Sequence, residues 1–182
     1  DLQKDLKKTV VFITHDLDEA VAVGDRIAIM RDGEIIQMGT PEEIILNPVD
    51  DFVSEFTEDV SKDRVLNASS ISVTPDLIWT CPSDLNKLKD HVSKVEARYV
   101  VFVNESGSYL GILMRDDIEQ TGSTEELERK LGESPVSIKY SSNVKPAIAR
   151  MADSETPIPV VDSDRVVLGV ITQTSILTAL AK

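Results

Sequence analysis

One cysteine, Cys81, stands in the chain, so no disulfide can close within it, which suits a reducing compartment. No apolar run approaches the ~20 residues that a membrane-spanning helix requires. Positive charge is scarce, with 19 Lys and Arg against 32 Asp and Glu and a formal net charge of −13. A surface that acidic repels phosphate backbones on average, so nucleic acid is not expected as a partner. A local basic patch is still compatible with that average. The opening stretch DLQKDLKKTV lacks both a starting Met and the layout of a signal peptide, and it reads as the interior of something longer.

The 182 residues suffice for one medium domain or two small ones, and an apolar content of 41% permits a packed core. Charge is uneven along the chain. Residues 1–71 carry 7 basic and 16 acidic side chains, against 12 and 16 in residues 72–182. The polar stretch TEDVSKDRVLNASS marks a joint between two segments. In the first, residues 2–8 read as the tail of a helix. TVVFIT, residues 9–14, is a short continuous apolar run expected as a buried strand. Asp16 is placed to cap a helix over LDEAVAVG, which Gly24 ends. RIAIM and EIIQM flank Asp32-Gly33, a strong hairpin signal. Pro41 opens a helix over EEIILN, and a further short helix is expected around residues 50–56.

The second segment repeats itself. VVFVNESGSYLGILMRDDI, residues 100–118, aligns with IPVVDSDRVVLGVITQTSI, residues 158–176, at an offset that matches Gly111 to Gly169. Each copy follows a helix of amphipathic spacing, Leu85, Leu88, Val92 and Val95 in one, Val144, Ala147, Ile148 and Met151 in the other. A short strand precedes each helix, near LIWT and VSIK. Between the copies, STEELERKLG offers Ser123 and Glu126 as a capping box and Gly132 as a stop. Units too small to hold a core alone are expected to pair.

The residues PVVD and GVITQTSI, with VFVN and GILMRDDI as their counterparts, resemble a tandem pair of CBS domains, a Bateman module. VVFITHDLDEA, DRIAIMRDGEIIQMGTPEEI and NPVDDFV resemble the C-terminal end of an ABC-transporter ATPase. In this order the two are similar to the ATP-binding subunit of glycine betaine or proline betaine importers. The resemblance implies an α/β (α+β) fold, with a tandem CBS pair preceded by a remnant of an ATPase domain. Expected boundaries are 1–60 for the remnant, 61–71 for a linker, 72–120 for the first repeat, 121–133 for an inter-repeat helix and linker, and 134–182 for the second repeat.

By the same resemblance, His15 matches the switch histidine that contacts the ATP γ-phosphate, where an imidazole donates to developing negative charge. No G-x-x-x-x-G-K-[ST] loop accompanies it in these 182 residues. The chain as given is therefore expected not to be an enzyme, while the intact parent would use ATP and Mg. The grouping of His15, Asp16, Asp18 and Glu19 reads as a solvated acidic helix start rather than a metal site. His91 reads as a surface or partly packed histidine, Trp79 as a packing residue, and Cys81 as lacking a nucleophile's partners.

CBS domains that bind adenosine nucleotides resemble one another in a G-h-h-[ST]-x-x-D motif. Its hydroxyl contacts phosphate and its aspartate a ribose diol. Here each copy keeps half. Gly111 is followed by Met114 and Asp117, and Gly169 by Thr172 and Ser175. Arg115, Asp117, Thr172, Gln173 and Ser175 are the candidate ligand-binding residues. A cyclic dinucleotide or an adenine nucleotide is the candidate ligand, with ionic strength as another effector. The implied role is regulation of an osmoprotectant importer from the cytoplasmic face of the membrane, with permease subunits as partners and self-association through the CBS repeats. The alternative is a free-standing nucleotide-binding CBS regulator, for which residues 9–57 would have no use. His15 is also expected to lie away from a catalytic pose, and residues 9–14 to be covered by the hairpin at 26–38 or by a neighbouring chain.

Overall fold

A computed structural model describes residues 9–81, 84–132, 136–152 and 154–181. The chain forms two compact units, Asp1–Val65 and Leu66–Lys182. The helix tail expected over residues 2–8 lies outside the described residues.

Unit 1 runs α1 (Leu17–Val23), β1 (Ile27–Arg31), β2 (Glu34–Gly39), α2 (Pro41–Leu46) and α3 (Asp51–Thr57). Asp16 accepts from the Glu19 N–H and starts α1, while the Gly24 N–H closes it onto the Ala20 carbonyl. The strands form a two-stranded antiparallel sheet. Asp32 and Gly33 take φ of 54° and 86°, the left-handed pair that matches the strands' twist in a tight hairpin. Ile27 and Ile29 alternate inward against Ile44 of α2 and Val53 of α3, with Leu17, Ala20 and Val21 of α1 packed on them. Thr40 and Glu43 cap each other across the start of α2.

Residues 9–14 correct one expectation. They form no strand, and Val11 and Ile13 are 85% and 91% exposed. Nor does the hairpin cover them, because β1 pairs with β2 and the sheet has no third strand. A continuous apolar run is a strand only where a neighbour supplies its ladder. Here Thr14 is drawn into the cap of α1 instead, donating to Glu19 Oε2 at 2.8 Å and accepting from the Asp16 N–H.

Residues 61–71, expected as a linker, are folded. A 3₁₀ turn covers Lys62–Arg64, and Val65 packs with Ile45 and Val60. Leu66 is buried, and α4 (Ala68–Ile71) follows.

Unit 2 holds two like sheets. In repeat 1, β3 (Ile78–Thr80) lies parallel to β4 (Tyr99–Val103), which pairs antiparallel with β5 (Tyr109–Met114). In repeat 2, β6 (Ile138–Lys139), β7 (Ile158–Val161) and β8 (Val167–Ile171) follow the same order. The register shift between Phe102 and Val103 recurs between Val160 and Val161, the matching positions, so the repeat extends to its irregularities. Repeat 1 adds α5 (Leu85–Lys94) and α6 (Arg115–Gln120), then α7 (Thr124–Gly132). Repeat 2 adds α8 (Lys145–Met151) and α9 (Gln173–Leu180).

β4 is buried throughout because both its faces are covered. Val100 and Phe102 pack on Leu88 and Val92 of α5, while Tyr99 and Val101 face a seam with Val161 and Val170 of repeat 2. That seam is the apolar surface that pairing of the repeats removes from water. The cap of α7 differs from expectation by one residue. Ser123 accepts from the Glu126 N–H, but Glu126 takes the Gly122 N–H rather than that of Ser123.

Candidate functional site

Two clefts flank the seam. The first, about 400 Å³, draws Ile112 from β5, Asp117 from α6 and Lys130 from α7, and meets Arg150, Ser154 and Thr156 of repeat 2. Local structure places each group. Asp117 lies in the first turn of α6, which begins directly where β5 ends. Lys130 sits in the last turn of α7 and Arg150 in that of α8, where cations complement the helix dipole.

Lys130 is held firmly. Its Nζ donates to the Asp117 carbonyl and to Thr121 Oγ1, both at 3.2 Å, and pairs with Glu126 Oε1 at 3.6 Å. Lys89 of α5 donates to the carbonyls of Glu119 and Thr121, so two lysines satisfy the end of α6. The Gly122 N–H, and secondarily Lys130, hold the Glu126 carboxyl below its usual range. Arg150 is exposed at the rim. The Thr156 N–H donates to Ser154 Oγ. A carboxylate, two cations and two hydroxyl side chains thus line one cleft, a donor-rich arrangement suited to an anion that also carries hydroxyls.

The second cleft, about 420 Å³, is lined by Glu96, Ala97, Arg98, Met114, Arg115 and Asp116. Its cations are engaged by protein groups. Arg98 pairs with Asp76 at 3.3 Å, and Arg115 with Glu119 at 3.0 Å and with the Val95 carbonyl at 3.1 Å.

The candidates named from sequence separate accordingly. Asp117 lines the first cleft and Arg115 the second, while Thr172, Gln173 and Ser175 line neither. Thr172 and Ser175 are spent on each other, since each hydroxyl accepts the other's backbone N–H at 3.0 Å and so caps α9. Gln173 Nε2 donates to the Met151 carbonyl at the end of α8. His15 is exposed at a bend before α1. Among the described residues no cluster of His, Cys, Asp or Glu is arranged to hold a metal. His91 is exposed and its ring centroid lies 5.4 Å from that of Trp79, whose indole nitrogen is buried without a partner among the described residues. Lys130, Arg150, Ser154 and Thr156 were not among the candidates. The available signal was the segment ahead of IPVV, which lies where one repeat meets the other.

Residues 129–182 match the family model of the CBS domain. The chain is 33% identical to the glycine betaine/proline betaine transport system ATP-binding protein ProV of Escherichia coli K12, over 98% of this chain and 46% of that protein. It is 32% identical to the glycine betaine transport ATP-binding protein OpuAA of Bacillus subtilis 168, over 100% and 43%. The chain therefore spans less than half the length of these relatives. Among solved structures, the cystathionine β-synthase pair domain of a Shewanella oneidensis MR-1 protein superposes with a TM-score of 0.55 at 16% identity, over 71% of this chain and 85% of that one. A CBS domain pair/ACT domain protein of Thermotoga maritima gives 0.53 at 12%, over 64% and 97%.

Proposed function

The chain is homologous over its whole length to ATP-binding subunits of glycine betaine/proline betaine ABC transporters and carries a tandem CBS pair, and on that premise we propose that it is the regulatory part of such a subunit, its CBS pair binding an anionic nucleotide and modulating transport. Residues 72–120 and 134–182 are taken as the two CBS repeats. The observation that carries this reading is the first cleft, which Lys130, Arg150 and Asp117 line together in a chain that is otherwise strongly acidic. Arg150, exposed at the rim, receives phosphate, the charge of Lys130 adds to the local field, Asp117 accepts from a ribose hydroxyl, and Ser154 and Thr156 supply further donors. One nucleotide is expected per chain, in this cleft. Attraction between cations and phosphate is screened by salt, so ionic strength and nucleotide act on one equilibrium.

In the parent, ATP and Mg belong to the ATPase domain, whose permease partners hold it at the inner face of the membrane. The chain as given turns over no ATP, and His15 is not an active-site residue in it. Two chains associate through their CBS repeats.

Calorimetry with AMP, ATP and cyclic di-AMP tests the reading. One of the three is expected to bind at one site per chain. Arg150→Ala removes a charge-assisted contact of about 1.5–3 kcal/mol, roughly a ten- to hundredfold loss of affinity. No binding by any of the three, or an Arg150→Ala chain that binds as before, overturns it.

A further inference from the structure

Thr172, Gln173 and Ser175 line neither cleft, yet their contacts converge on a wall of the first. Thr172 and Ser175 cap each other and fix the start of α9. Gln173 is the first residue of that helix, and its Nε2 donates to the Met151 carbonyl at 3.1 Å. Met151 ends α8, where the last carbonyls have no partner within the helix. The polar groups that repeat 2 gives the cleft all lie close to it in sequence. Arg150 stands immediately before Met151, and Ser154 and Thr156 come shortly after.

Repeat 1 makes the same contact with a different residue. Arg115 matches Gln173 at the offset that matches Gly111 to Gly169, and it is likewise the first residue of its helix, α6. Its Nη1 donates at 3.1 Å to the carbonyl of Val95, the residue that follows α5. Glu96, Ala97 and Arg98, which come next, line the second cleft. In each repeat, then, the first side chain of the helix after the hairpin grips the end of the helix before it, where the chain goes on to supply a cleft wall. Arg and Gln share one property that this contact needs, an N–H donor on a long side chain.

We propose that Gln173 is a positioning residue of the first cleft, its amide holding the last turn of α8 so that Arg150 stays in the pose that receives phosphate. The link to a ligand rests on the reading of the cleft given above. The grip on α8 does not. Gln173 touches no ligand and acts through Met151. A helix end that frays must be ordered again when an anion binds, and a clasp that orders it beforehand removes that entropic penalty.

Two substitutions separate the donor from the shape. Gln173→Met keeps the length of the side chain and removes the N–H. Gln173→Arg installs the residue that repeat 1 uses. Amide hydrogen exchange by NMR on the full chain, without ligand, reads the Ala152 N–H, which donates to the Ile148 carbonyl at the end of α8. Gln173→Met is expected to speed its exchange roughly threefold or more, and Gln173→Arg to leave it within about twofold of the unmodified chain. The Ile176 N–H, which donates to the Thr172 carbonyl, is the control and is expected to stay unchanged in both. AMP, ATP and cyclic di-AMP are then titrated into each chain by calorimetry. For the nucleotide that binds, Gln173→Met is expected to lose about three- to tenfold in affinity and Gln173→Arg less than about twofold. In a chain that also carries Arg150→Ala, the loss from Gln173→Met is expected to shrink below about twofold, because the residue it positions is gone. Unchanged Ala152 exchange in Gln173→Met overturns the inference. So does a loss of affinity that is as large without Arg150 as with it, or one that Gln173→Arg shares. If none of the three nucleotides binds the unmodified chain, the cleft reading falls, and the Ala152 exchange alone decides whether Gln173 holds α8.

Discussion

At the scale of single residues, Tyr109 has a cost without a compensating bond. It is 3% exposed, packed in the seam between the repeats, and its hydroxyl is buried with no hydrogen-bond partner among the described residues. Burial pushes its pKa up to about 12, and Arg165, whose guanidinium lies 6.0 Å from the ring centroid, opposes the shift. The buried phenol therefore binds its proton more tightly folded than unfolded. The resulting stability is fully present below pH ~10, the unfolded value, and is lost as pH rises through about 12. Tyr109→Phe deletes an unpartnered polar atom, so its unfolding midpoint at pH 7 is expected to equal or exceed that of the parent chain. Its stability should also fall less steeply above pH 10. A variant markedly less stable at pH 7 would show that the hydroxyl has a partner in solution. Legibility at this scale is uneven. Asp117 stands at the aspartate position of the motif that CBS domains share, and it lines the first cleft. For Thr172 and Ser175, T-x-x-S reads equally as a ligand motif and as a capping box, and the folded chain forms the cap. Lys130 and Arg150 had no spacing to announce them, because a cation in a last helical turn is ordinary in any sequence.

Elements were legible where their stabilisation is local. The hairpin, the capped starts of α1 and α2, and the helices of both repeats follow from turn chemistry, caps and apolar period, all written within ten or so residues. Residues 9–14 failed the same reading because a strand's evidence lies partly in its neighbour, and here the described residues contain none for it. The backbone pairing of residues 66–73 with Tyr140, Ser142, Val144 and Val170 was illegible for a related reason. Nothing in VLNASSISV states that its carbonyls and N–H groups pair with residues some seventy to a hundred positions onward. The hairpin's dependence on its turn is open to direct measurement. Gly33 has a φ of +86° with no atom within 4 Å of where a Cβ would stand, so conformation alone sets the cost of a side chain there. Gly33→Val places a β-branched residue in left-handed backbone and is expected to destabilise unit 1 by about 1–2 kcal/mol. Urea denaturation followed through unit 1 amides checks this, and an unchanged midpoint would mean that the turn relaxes to another type.

For the molecule as a whole, charge decides how copies meet. A net charge of −13 makes two chains repel at long range, so any shared face must be one that carries little charge itself. The two repeats differ here. α6, RDDIEQ, carries four charged side chains, whereas its counterpart α9, QTSILTAL, carries none and leaves Leu177 68% exposed, with Leu180 one turn on. Self-association through the CBS repeats is therefore expected to run through α9 rather than symmetrically through both helices. An isologous contact would set α9 against its own copy, as two-fold interfaces require. Salt then acts in opposite directions on the chain's two proposed associations. Shortening the Debye length from roughly 30 Å at 0.01 M to about 8 Å at 0.15 M relieves repulsion between the acidic copies while weakening the pull of Lys130 and Arg150 on phosphate. Sedimentation velocity is expected to show dimer growing with salt over that range, and calorimetry to show nucleotide affinity falling. Leu177→Glu should abolish the dimer at either salt without changing the unfolding free energy of the single chain by more than about 0.5 kcal/mol, since the side chain is exposed there. Phe12→Lys, in the exposed residues 10–13 of unit 1, should leave the dimer intact. Loss of dimer in Phe12→Lys with retention in Leu177→Glu would move the interface to the apolar segment before α1, and dissociation by salt would show that paired charges rather than apolar contact hold the copies together.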